Sequence, residues 1–168
     1  NHEALLETIR KIAYREGLGN LLAEGVKNAS NKVGKSSQHF AMHNKGLEFP
    51  AYDIRGLKAC ALGFNTSTRG GCHLRSSMYD FDVKGKVERF KADVGLGKIV
   101  KDREDAWAIM DSLIICKFIR SICSSYDKLA ELYMLVTGIR TTPEELRKAG
   151  ERIYNLEKAY NVREGWTK

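Results

Sequence analysis

The stretch Arg69-Gly70-Gly71-Cys72-His73-Leu74-Arg75 combines several groups able to do chemistry. Paired glycines let a backbone approach a ligand closely. His73 can donate or accept a proton near neutral pH. Arg75 can bind an anion or a carbonyl-rich ring in a fork geometry. The same residues also suit an ordinary surface turn with a satisfied histidine. A second group is Asp111-Ser112-Leu113-Ile114-Ile115-Cys116. A carboxylate buried in an apolar helix end must meet N–H donors. On one continuous helix Cys116 would lie about 140° around from Asp111, at ~100° per residue. Otherwise Asp111 faces solvent and Cys116 is a small buried hydrophobe.

The four cysteines are Cys60, Cys72, Cys116 and Cys123, and no two form a CxxC pair. A self-contained zinc or redox motif therefore cannot be written from them. Cys60, between Ala59 and Ala61, reads as core. Cys123 follows Cys116 by seven positions and can share its face, but an iron–sulfur cluster takes about four thiolates. His2, His39 and His43 have no ligand-like spacing and suit surface or packing roles.

These groups must be positioned by helices. Leu5, Leu6, Ile9, Ile12 and Ala13 recur at three- and four-residue spacing and predict an inward helix face over 2–16. A second helix is predicted from Leu21 to about Ala29, then a small, polar loop from Ser30 to Ser37. Short extended pieces follow around 38–50, biased by Pro50. Asp53 can cap a helix over 54–64. Residues 76–85 read as loop, 87–93 as helix, 98–116 as a long helix and 125–136 as another. Thr142-Pro143-Glu144-Glu145 is a capping box. It opens a last helix with Leu146, Ala149, Ile153, Leu156 and Tyr160 inward. The class is all-α, or mainly α and multihelical.

The chain has 168 residues, 43% hydrophobic and 29% charged, which excludes a disordered or collagen-like protein. No apolar run approaches the ~20 residues of a membrane helix; Leu113–Cys116 is cut at once by Lys117. The net charge of +7 is spread evenly, +3 over 1–60, +2 over 61–110 and +2 over 111–168. Without a basic run, neither nucleic acid nor membrane is expected as a partner. Beginning without Met and inside a helical pattern, the chain is expected to be a piece of something larger.

Five segments in order carry a resemblance. They are Gly19-Asn20-Leu21-Leu22-Ala23-Glu24-Gly25-Val26-Lys27; His39 through Pro50 to Gly56; Thr68-Arg69-Gly70-Gly71-Cys72-His73; Asp111 through Cys116 to Phe118; and Tyr160-Asn161-Val162-Arg163-Glu164-Gly165. Together they resemble the tungsten-dependent aldehyde:ferredoxin oxidoreductase family, over nearly the whole chain.

The resemblance implies three domains, with residues 1–42 ending the helical second and 43–168 belonging to the helical third. It implies tungsten, or molybdenum, held by two pterin dithiolenes, and a 4Fe-4S cluster close by. Cys116 would be the fourth cluster ligand. Asp111 would accept hydrogen bonds from the amino-pyrimidine edge of a pterin, and Arg75 matches a basic position that contacts pterin. His73 matches the histidine beside the substrate pocket. The implied partners are ferredoxin, a small aldehyde and the remaining domains of one cytoplasmic enzyme.

Two departures bear on this. Ile114-Ile115 stands where many relatives have Gly-Leu. The family's CxxCxxxC segment, its first DxxGLC-type motif and its acidic catalytic residue are absent from these 168 residues. Alone, the chain is expected to hold neither cluster nor tungstopterin and to be inactive. The alternatives are a non-catalytic helical interaction module and a small metal-binding protein using Cys116, Cys123 and His73.

Overall fold

The computed structural model describes residues 1–51, 53–121, 123 and 125–166. The class is mainly α, as predicted: 62% helical, with eight α-helices and one two-stranded sheet among the described residues. The chain forms two compact units. One takes positions 1–51 with Arg69–Cys72; the other takes Asp53–Thr68 and the chain from His73 onward.

The first unit opens with α1 (His2–Tyr14), whose cap Asn1 accepts from the Glu3 and Ala4 amides. α2 (Leu18–Leu22) packs on α1. Gly19 permits this, since a β-carbon there would stand 2.2 Å from the Lys11 carbonyl. The predicted inward face of α1 is not buried within the unit. Leu5, Leu6 and Ile9 stay 61%, 64% and 53% exposed, because the short α2 is too small to cover the stripe. α3 (Gly25–Val33) runs into the segment predicted as loop. Ser30 Oγ donates back to the Lys27 carbonyl at 2.8 Å, so this small polar residue bonds within the helix instead of ending it.

Of the segment predicted extended around 38–50, Ser37–Phe40 is instead a 3-10 turn, and the rest carries a hairpin, β1 (His43–Asn44) against β2 (Leu47–Glu48), pairing His43 with Glu48 and Asn44 with Leu47. Lys45 and Gly46 both take positive φ, 52° and 86°, as a tight two-residue hairpin turn requires. Glu48 Oε1 accepts from the Val26 amide at 2.6 Å, at the start of α3.

In the second unit, a turn at Ile54–Gly56, capped by Asp53, precedes α4 (Lys58–Thr66). Residues 76–85, predicted as loop, contain α5 (Tyr79–Val83). Its buried Asp82 accepts from the Ala59 and Cys60 amides at 3.1 and 2.9 Å, satisfying the start of α4. The helix predicted over 87–93 does not form. There the Arg89 carbonyl accepts from the Lys58 amide at 3.0 Å, leaving the local helical pattern.

α6 (Leu96–Ser112) ends four residues earlier than predicted. The Ile114 amide bonds to the Asp111 carbonyl and the Ile115 amide to the Met110 carbonyl, with Ile114 at φ 58°. That is a Schellman stop. Cys116 therefore lies beyond the helix, and the 140° relation to Asp111 does not hold. α7 (Tyr126–Thr137) stops at Gly138, φ 73°.

α8 (Pro143–Arg163) begins at Thr142 with both bonds of the capping box. Trp107, Ile109, Met110, Cys123, Leu129, Ala130 and Leu146 form the core between α6, α7 and α8. Of the predicted α8 stripe, Leu146, Ala149 and Ile153 pack inward, whereas Leu156 and Tyr160 stay 69% and 55% exposed. The inward edge continues instead through Tyr154, Glu157 and Asn161. No helix among the described residues is long and apolar enough to cross a membrane.

Candidate functional site

The polar edge of α8 fixes the chain that carries His73 and Arg75. Tyr154, Glu157 and Asn161 are spaced three and four apart, so they project from one helix face. Tyr154 Oη donates to the Thr66 carbonyl at 2.9 Å. Thr68 Oγ1 donates to Glu157 Oε2 at 2.8 Å, and Asn161 Nδ2 donates to the Thr68 carbonyl. Beneath them, Thr66 Oγ1 donates at 2.5 Å to Glu104, a buried α6 carboxyl that burial pushes up.

Arg75 is drawn into this network. Its Nη2 pairs with Glu157 Oε2, and its Nη1 lies 3.4 Å from Asp111 Oδ2. Burial lowers the guanidinium, but the Glu157 hydrogen bond and charge outweigh it, so the net direction is up. Asp111, in the last turn of α6, meets a second cation: Lys117 Nζ lies 2.6 Å from its Oδ1. The same ammonium donates to the Trp107 carbonyl at 2.8 Å and stands 5.0 Å from the Trp107 ring centre. Burial pulls it below the ordinary lysine range, against the Asp111 contact that raises it.

Arg75 and Asp111 are thus brought together from positions 36 residues apart. Asp111 is neither buried nor merely solvated. Its side chain is 45% exposed, while those of Arg75 and Lys117 are only 14% and 11% exposed. A carboxylate has about four acceptor positions. Two are engaged here, so the exposed edge of Asp111 can accept from a bound pterin, and the group fits. Cys116 is exposed with a free thiol.

His73 is half-buried at the start of a turn over 73–76. Among the described residues no three His, Cys, Asp or Glu side chains gather to hold a metal ion, so Cys116, Cys123 and His73 do not form a small metal site. Cys123 is in the core and Cys116 on the surface. Cys60 is core, as predicted, and burial pushes its thiol up.

The paired glycines make a close approach, but to protein. A β-carbon on Gly70 would stand 2.3 Å from the Asn44 carbonyl oxygen, and one on Gly71 would stand 2.9 Å from that of Leu47. Both glycines seat their segment against the hairpin of the first unit. A cleft lined by Ile109, Tyr133, Arg140, Leu146 and Arg152 opens among α6, α7 and α8. Neither Arg75, Asp111 nor Cys116 lines it.

Sequence reasoning did not single out Glu157 or Lys117. Glu157 sits four positions after Ile153, and a charge on the inward edge of a helix is a detectable signal. Lys117 interrupts an apolar run directly after Cys116, which is a similar one.

Residues 1–168 match the family model described as aldehyde ferredoxin oxidoreductase, domains 2 and 3. Over 170 residues the chain is 35% identical to the tungsten-containing aldehyde ferredoxin oxidoreductase of Pyrococcus furiosus, covering 98% of this chain and 27% of that protein. The tungsten-containing aldehyde ferredoxin oxidoreductase of Thermococcus kodakarensis is 33% identical, with the same coverage. The aliphatic sulfonate oxidoreductase, WOR-like subunit, of Pyrococcus furiosus is 27% identical, covering 94% of this chain and 23% of that protein. The chain spans about a quarter of the length of these curated relatives.

Proposed function

We propose that this chain, which belongs to the aldehyde ferredoxin oxidoreductase family, forms part of a cytoplasmic enzyme that oxidises aldehydes. An aldehyde and water would give a carboxylic acid, two protons and two electrons, the electrons leaving through a 4Fe-4S cluster to ferredoxin. When bound, tungsten or molybdenum on its two pterin dithiolenes supplies the redox change. Residues 1–42 end the second domain of that enzyme, and 43–168 belong to its third.

The residues of this chain bind and position. Asp111 accepts from the amino-pyrimidine edge of a pterin, and Arg75 contacts pterin from beside it. Cys116 gives one thiolate to the cluster, whose other ligands come from outside these 168 residues. His73 hydrogen-bonds the aldehyde oxygen or moves a proton there.

The observation that supports this reading most is the meeting of Arg75 and Asp111, five positions before an exposed Cys116. Asp111→Ala in the complete enzyme tests it. Tungsten content should fall more than the melting temperature, since Arg75 keeps its Glu157 partner and Lys117 the Trp107 carbonyl when the Asp111 carboxylate is removed. Full loading with a normal rate would overturn the assignment.

A further inference from the structure

Lys117 lies directly after the thiol read as a cluster ligand, yet its side chain turns back under α6. It bonds the Asp111 carboxylate at 2.6 Å and the Trp107 carbonyl at 2.8 Å, and it is 11% exposed. A surface lysine normally leaves its ammonium in water. Here three separate contacts hold it: a carboxylate, the carbonyl of Trp107 and the face of the Trp107 ring. This group ties the chain just beyond the Schellman stop back to the last turns of α6.

We propose that Lys117 is a positioning residue of the cofactor site: it fixes the Asp111 carboxylate and keeps one positive charge on the residue that follows Cys116, the thiol read as the cluster ligand. The proposal rests on the functional reading above. Two consequences follow from the geometry. Lys117 takes Oδ1 of Asp111, so the remaining acceptor positions of that carboxylate are held in one orientation for the pterin edge. In addition, a reduced cluster carries one more negative charge than an oxidised one. A fixed cation in a water-poor position, on the residue next to the ligand, favours the reduced state.

The test uses the complete enzyme with Lys117→Met, Lys117→Gln and Lys117→Arg. Iron per chain is counted, and the cluster midpoint potential is read by EPR-monitored redox titration. The arginine variant should keep both iron and the parent potential. The two neutral variants should keep iron and titrate at lower potential. Loss of iron from the neutral variants with retention in the arginine variant also supports the proposal, because the charge is then needed to assemble the site. Unchanged potentials in iron-loaded neutral variants would overturn it, as would iron loss in the arginine variant. A parent enzyme without any cluster would instead refute the functional reading, before the variants are compared.

Discussion

Lys117 reaches Asp111 across six positions because α6 stops at Ile114, whose left-handed backbone returns the chain alongside the last turn of its own helix. The position carries a β-branched residue at φ 58° that is 93% exposed, so no packing compensates for the strained conformation. Ile114→Gly should stabilise the protein by about 1 kcal/mol, somewhat reduced by the greater freedom of glycine in the unfolded chain. Urea denaturation midpoints measure this. A lower midpoint would contradict the assigned backbone.

Where α6 and α8 cross, Gly150 allows close contact: a β-carbon there would stand 2.3 Å from the Asp105 carbonyl oxygen and 2.9 Å from its carbon. Backbone cannot move aside as a side-chain tip can. Gly150→Ala should therefore destabilise by about 1–3 kcal/mol, visible in thermal melts. A neutral outcome would mean that the crossing is looser than described.

Much of this was legible in the sequence. Thr142 to Glu145 announced α8, because the capping box is local chemistry. Pro50 pointed to extended chain around 38–50, part of which forms the hairpin. Arg75, Asp111 and Cys116 stood out by residue type and spacing, and the resemblance supplied the roles proposed for them. What failed depended on distant partners. The end of α6 was missed because Ile114 stands where a helix stop usually has glycine. The roles of Gly70 and Gly71 were misread because their partners, Asn44 and Leu47, lie more than twenty residues away. α5 was missed because its Asp82 serves another helix.

Glu104 makes stability depend on pH. Burial raises its carboxyl above the ordinary value of 4.5. Its protonated form therefore favours the folded state. That contribution is complete below pH 4.5 and is lost as pH rises through the raised folded value. Glu104→Gln keeps an acceptor for Thr66 without the charge. Its melting temperature should gain on the parent as pH rises from about 4.5 towards neutrality. Parallel curves for the two proteins would show that Glu104 carries no such penalty.

In the complete enzyme His73→Ala should lower turnover by about a hundred- to ten-thousand-fold while tungsten and iron contents hold. In the proposed enzyme the metal would be held by pterin sulfurs, so rate loss separates from cofactor loss. His73→Gln would recover activity if hydrogen bonding, not proton transfer, is the role. An alanine variant that arrives without metal would make His73 structural.

The most direct test of the central claim is iron content in the complete enzyme after Cys116→Ala, with Cys123→Ala as comparison. Cys116 is exposed just past the α6 stop, and Cys123 is packed in the core. Cys116→Ala should lose the 4Fe-4S EPR signal and most of its iron, while Cys123→Ala keeps both. An intact cluster in Cys116→Ala would contradict the site assigned to this chain.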